Sequence, residues 1–416
     1  MSRRRALRFT GGYGLSVLIG AVLSLAIIPT VIIVAGADVW ATIAVAQAVG
    51  GFAFVFVAAG WGVTGPTSVA ALPPHERGAF YVDSLITRGW LFVLILGPAL
   101  VIAFVVTGDH PLITGVSVAT SMISALAAGW FFVGESSPIR FLLLETLPRS
   151  VGTAAGAVAL LVSRDPVWFV LLQLLGALAA SVIASANIMS RYRGWAVRLS
   201  PVRALARLRG QASAISMAAT SSVYVTFPIV VVQVFIPEAT AVYALAERIM
   251  RLALYATRPF VQVSQGYVPA PSAREQAVRA RRVMKIAGLL GLLGGLAYAV
   301  ACPPAGTILS GGTLSIPLGL SVPMGIALAA MLVSQVTGFA CLTAFGLTRA
   351  LAMSTVAGAV VGAILLVPLA LAFGVNGLAS ALAASEVIVL VVQLVSLRPF
   401  VDANRAAAGR AVSGGR

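Results

Sequence analysis

The sequence predicts an all-α polytopic membrane protein, with about twelve transmembrane helices in two pseudo-symmetric six-helix bundles. Three observations carry that expectation. Long apolar runs recur along the chain, arginines are confined to the short segments between them, and a weak repeat relates the two halves.

Hydrophobic residues make up 60% of the chain and charged residues only 10%. Soluble domains carry roughly 25% charged residues, so this chain lacks the polar surface that water demands. Apolar runs of about 18 residues or more read as membrane spans. They fall at 11–35, 39–63, 85–107, 111–133, 148–163, 167–189, 211–236, 239–265, 283–303, 317–345, 349–372 and 375–397. The fifth is short, and the tenth is long enough to tilt or break. The first follows Arg3, Arg4, Arg5 and Arg8 and ends at Ala35-Gly-Ala37, which resembles a signal-peptidase site. A signal core runs roughly 7–15 residues, so this longer run is expected to stay as an uncleaved span.

The formal net charge is +16, but its placement is that of a membrane protein rather than a nucleic-acid face. With the N-terminus in the cytoplasm, the inside segments hold Arg77, Arg88, Arg140, Arg149, six arginines between 191 and 209, and a basic cluster from Arg274 to Lys285. Arg349 and the C-terminal arginines from Arg398 also fall inside. The outside loops hold Asp38, Asp109, Arg164, Asp165 and Glu238, and only Arg164 breaks the positive-inside pattern. The expectation is a bacterial cytoplasmic-membrane protein with both termini cytoplasmic. Residues 201–209 read as a short amphipathic helix. They lie within a 191–210 linker that joins a 1–190 bundle to a 211–400 bundle, with a cytoplasmic tail over 401–416. The polar, basic stretch 269–285 reads either as an inner-leaflet segment or as a solvated loop.

The repeat rests on two matches. Thr42-Ile-Ala-Val-Ala-Gln-Ala-Val49 aligns with Val242-Tyr-Ala-Leu-Ala-Glu-Arg-Ile249 at an offset of 200, and Ala177-Leu-Ala-Ala-Ser181 with Ala381-Leu-Ala-Ala-Ser385 at 204. Six spans per half is an even number, which gives both halves one orientation and predicts a cavity between them.

No enzyme constellation emerges, and no cofactor or metal is expected. His75 and His110 fall on opposite sides, Cys302 and Cys341 are isolated, and no Walker loop is present. The chemistry concentrates on the eighth span, where Arg248, Arg251, Tyr255, Arg258 and Gln262 are spaced 3, 4, 3 and 4 and so share one helical face. A charge at a helix centre costs about 2.5–3.5 kcal/mol on insertion scales, so such a stripe persists only beside water, a partner or a ligand. Glu247, one turn before Arg251, is placed to pair with it, leaving excess positive charge for an anionic ligand. Arg258 falls near the interface, where snorkelling accounts for it. In the seventh span, Thr220 and Tyr224 either line a polar cavity or bond within their own helix bundle. Gln47 is the first-half counterpart of Glu247. Glu386, mid-span in the last helix, is either an ion-coupling carboxylate or a buried neutral one.

The chain resembles the polysaccharide transporter family, the Wzx-type flippases of lipid-linked oligosaccharides, within the multidrug/oligosaccharidyl-lipid/polysaccharide exporter superfamily. The resemblance rests on Gly60-Trp-Gly-Val-Thr-Gly65, Gly129-Trp-Phe-Phe-Val-Gly134, Tyr243-Ala-Leu-Ala-Glu-Arg248 followed by Pro259, and Gly374-Val-Asn-Gly through Ser385-Glu386. It implies alternating access to a cationic cavity and movement of an undecaprenyl-diphosphate-linked glycan between leaflets. Membrane lipids, and glycosyltransferases or a polymerase of the same pathway, are the partners it implies. The absence of an arginine at Gln47 departs from a symmetric cationic site. Two other functions compete: a cation-coupled multidrug exporter, whose cavity favours carboxylates or aromatics over arginines, and a non-transport scaffold for glycan assembly, which needs no charged midplane face.

Overall fold

The computed structural model describes residues 20, 22–192, 215 and 226–413, with side chains to residue 401. Every regular element among the described residues is helical. The chain divides into two compact units, Met1–Val234 and Phe235–Arg416. The amphipathic segment 201–209 lies outside the described residues.

Among the described residues, seven helical stretches are long and apolar enough to cross a membrane: Ala37–Ala71, Pro74–Thr107, Pro111–Gly134, Pro166–Arg191, Ala273–Leu309, Leu318–Leu342 and Thr348–Val401. The last contains Gly374 at φ 60° and ψ −145°, where two helices meet. The fifth span is the 17-residue helix Leu147–Ser163, and the eighth is Thr240–Tyr267, whose 28 residues carry the charged stripe. Val22–Ala35 and Thr226–Phe235 are shorter apolar helices. The chain is thus an all-α polytopic membrane protein.

Three spans differ from the apolar-run boundaries. The third begins at Pro74 rather than 85, which draws Tyr81, Ser84 and Arg88 into a buried helix face. The ninth begins at Ala273, so most of the polar stretch 269–285 is helix continuous with the span. Ser272 and Glu275 are spaced as a capping box, and the Ser272 hydroxyl accepts the Glu275 amide at 3.2 Å. The fourth is interrupted: helix Pro111–Ile123 gives way to a 3-10 turn over Ser124–Leu126, then Ala127 is extended (φ −60°, ψ 154°), and helix resumes over Gly129–Gly134. The tenth span breaks regularity as its length suggested, passing into a π-helix over Thr337–Leu342.

Residues at positive φ occur at Gly108, Ser136 and Arg164 in the first unit and at Gly312, Gly346 and Gly374 in the second. Ala44, Val45 and Ala46 are buried in the first unit, as are Ala244, Leu245 and Ala246 in the second.

Small residues set the helix contacts, as they do where van der Waals approach drives association in lipid. A Cβ built on Gly176 would lie 2.8 Å from the Gly152 Cα, so helices Leu147–Ser163 and Pro166–Arg191 touch backbone to backbone. In the second unit Gly295 and Gly325 meet in the same way. The two glycine-tryptophan motifs also interlock. Gly65 leaves the space that the Trp130 ring occupies, and Trp61 stacks at 5.5 Å from Trp130.

A topology test follows from the charge pattern. Ala277 is buried against its neighbours, whereas Ala273 is exposed. A cysteine at Ala273 is expected to react with a membrane-impermeant maleimide only after the inner leaflet is opened. Labelling in intact cells overturns the cytoplasmic assignment.

Candidate functional site

In the second unit the eighth-span helix sorts its residues by face. Thr240, Tyr243, Ala244, Ala246, Met250, Val261 and Ser264 are buried. Along the stripe, Arg248 and Arg251 are half-buried and Tyr255, Arg258 and Gln262 are exposed. Glu247 and Arg251 form an ion pair at 2.6 Å, with the glutamate side chain only 13% exposed. Arg248 lies in the field of Glu247, Arg251 and Tyr255. The Arg258 guanidinium sits 4.5 Å over the Tyr255 ring. The Tyr298 hydroxyl donates to the Ala246 carbonyl at 2.8 Å and pins the opposite side of the helix. Glu247 therefore pairs with Arg251 one turn on, while Arg248 lies beside that pair on the same stripe.

Gln47 belongs to the first unit, where its amide donates to Gln173 at 3.5 Å. Glu386 is buried, 6% exposed, in the last span. Thr220 and Tyr224 lie outside the described residues.

The first unit holds buried charge that the charge pattern counted among the inside arginines at the edges of apolar runs. Arg88 is 1% exposed. Its Nη1 donates to the carbonyls of Ala125 at 2.8 Å and Ala127 at 2.9 Å, while Nε and Nη2 reach the Ser84 carbonyl and hydroxyl at 3.2 Å. The guanidinium also stands 5.5 Å from the Trp130 ring. Glu145 lies against the Gly129 amide, and Arg149 reaches Ser124 Oγ at 2.7 Å while keeping 3.9 Å from Glu145. No apolar periodicity signals these contacts. The one signal in the sequence is the polar run Tyr81, Ser84, Arg88 at helical spacing, running into the start of the predicted third span.

A second cluster closes one end of the same unit. Glu135, whose side chain is 4% exposed, accepts both arms of Arg191 at 3.0 and 2.9 Å. It also accepts the Tyr192 hydroxyl and lies 3.6 Å from Arg140. This bidentate arrangement fixes the C-terminal end of helix Pro166–Arg191.

No family model and no curated protein matches the chain. Solved structures do. A lipid II flippase MurJ in an inward closed conformation superimposes with a TM-score of 0.61 at 10% identity, covering 93% of this chain and 87% of that one. A MATE transporter in a bent conformation gives 0.58 at 14% identity, covering 98% and 100%. A MOP superfamily transporter from Pyrococcus furiosus, described as having a binding pocket of reversed polarity, gives 0.53 at 15% identity, covering 96% of each chain. At these identities the shared property is the fold. It is the fold of both lipid flippases and multidrug exporters of the multidrug/oligosaccharidyl-lipid/polysaccharide superfamily.

Proposed function

We propose that this chain is a membrane transporter that moves a polyprenyl-diphosphate-linked oligosaccharide between leaflets by alternating access. The observation that carries the reading is the eighth-span stripe, where Arg248 lies within the field of the Glu247–Arg251 ion pair and both arginines are half-buried. A diphosphate supplies several oxygens for such donors, and guanidinium groups bind them in pairs. A cationic drug meets repulsion on the same face, which disfavours the multidrug reading even though the fold accommodates it.

The reading is tested in proteoliposomes carrying a fluorescent polyprenyl-diphosphate glycan, with access to an impermeant quencher reporting the leaflet. Protein-dependent translocation that inorganic pyrophosphate inhibits supports it. Efflux of a lipophilic cation without glycan-lipid movement replaces it with the exporter, and neither activity favours the scaffold. In the same assay Glu386→Gln is expected to abolish any dependence on an imposed proton or sodium gradient while leaving protein abundance intact. An unchanged gradient dependence assigns Glu386 a structural role.

A further inference from the structure

The break in the fourth span removes backbone hydrogen bonds of known identity. In a continuous helix the Gly129 amide would donate to the Ala125 carbonyl, and the Phe131 amide to the Ala127 carbonyl. Here the Phe131 amide turns instead to Ala128 at 2.8 Å. The Ala125 and Ala127 carbonyls are both taken by Arg88 Nη1. The Gly129 amide, left without Ala125, faces the Glu145 carboxylate, and a Cβ on Gly129 would lie 2.9 Å from both carboxylate oxygens. One lost backbone bond is therefore replaced at each end by a charged side chain of the sign that end requires. The guanidinium meets the carbonyl end, and the carboxylate meets the amide end.

Backbone groups freed inside a bilayer persist only when protein groups satisfy them. Arg88 and Glu145 come from different helices, Pro74–Thr107 and the π-helix over Leu142–Thr146. Arg88 is buried and the Glu145 side chain is only 13% exposed, and they already lie within each other's electrostatic field. If the fourth span becomes continuous, the backbone groups satisfy one another. Arg88 and Glu145 are then released together and neutralise each other as a pair. Neither arrangement leaves a lone buried charge. The broken arrangement is also incompletely satisfied, because Glu145 Oε2, Arg149 Nε and Nη2, and Trp130 Nε1 are buried without hydrogen-bond partners among the described residues. That leaves room for a competing arrangement close in free energy, which is what a two-state element requires.

We infer that Arg88 and Glu145 are positioning residues for transport, exchanging partners between the backbone of a broken fourth span and each other as that span switches to a continuous helix. The inference rests on the transport reading for its role in turnover, but its structural content is independent of the substrate. It places a hinge at Ala127–Ala128, between two half-helices of one unit.

The test combines a distance with a rate. Spin labels on cysteines at Leu112 and Ser136, both exposed, bracket the break. The full-length protein in lipid is expected to show two distance populations. Arg88→Met removes every donor to Ala125 and Ala127 and keeps an unbranched side chain, so it is expected to leave one population, assigned to the continuous helix. Translocation falls by about tenfold or more. Arg88→Lys restores part of the broken population and part of the rate. Should Arg88→Met fail to accumulate, Glu145→Gln carries the measurement: it keeps an acceptor for Gly129 but removes the charge that Arg88 would pair with. It is expected to deplete the continuous population at normal abundance. A single population in the unsubstituted protein, or the same distribution in both variants, overturns the switch. A shifted distribution in a protein that moves no glycan-lipid leaves the switch standing and removes only the proposed substrate.

Discussion

Arg248→Ala is expected to abolish glycan display while membrane-inserted protein stays at its normal abundance. Arg248 is half-buried on the stripe, and its replacement leaves the Glu247–Arg251 pair at 2.6 Å intact. The helix keeps its packing because the buried face, from Tyr243 through Met250, is untouched. What is lost is charge and two-pronged donation. A hydrogen bond to a charged group contributes about 1.5–3 kcal/mol, which corresponds to about tenfold to a hundredfold in affinity for a diphosphate. Arg251→Ala has a second effect, since it strands a glutamate that is 13% exposed. The informative form is therefore Arg251→Ala combined with Glu247→Gln, which removes both charges. Lysine at either position is expected to rescue only in part, because an ammonium keeps the charge without the planar fork. Arg258→Lys is expected to be nearly silent, since Arg258 is exposed and stacks on Tyr255 at 4.5 Å, a contact that an ammonium also makes. Purified Arg248→Ala protein that is stable and binds the lipid diphosphate as tightly as the parent refutes the clamp. Parallel loss of abundance and function assigns the stripe to folding.

Gly176→Leu is expected to prevent accumulation of folded protein. A Cβ at this position would sit 2.8 Å from the Gly152 Cα and 2.9 Å from the Pro148 carbonyl oxygen, so it meets backbone on both sides. A flexible side chain yields to such an intrusion, whereas two helix backbones have to separate. Overpacking a core costs about 1–3 kcal/mol and occasionally more, and separation of the fifth and sixth spans adds the loss of their small-residue interface. Gly62→Ala is the control, because nothing lies within 4 Å of the point where its Cβ would stand, and alanine favours helix by about 1 kcal/mol. Thermal unfolding in detergent separates the two. A Gly176→Leu protein that melts like the parent means that the two helices do not touch in the membrane.

The sequence by itself determined the class of the molecule and the chemistry of one helix. Apolar runs and a 10% charged content leave no alternative to membrane spans, because lipid requires each span to satisfy its own backbone. The spacing of Arg248, Arg251 and Tyr255 also fixes their shared face, since helical periodicity is local. The Glu247–Arg251 pair was legible for the same reason, being one turn apart. Ser272 and Glu275 carried the start of the ninth helix, a signal that hydropathy overrides because it averages over polar helical turns. Tertiary structure alone decided the fate of Arg88. Its contacts with Ala125 and Ala127 span 37 and 39 residues, and nothing in local spacing encodes them. Averaged hydropathy places this arginine at a membrane edge, where snorkelling is cheap. The folded unit instead uses it to satisfy carbonyls that a broken helix exposes, and only the path of the fourth span reveals that need.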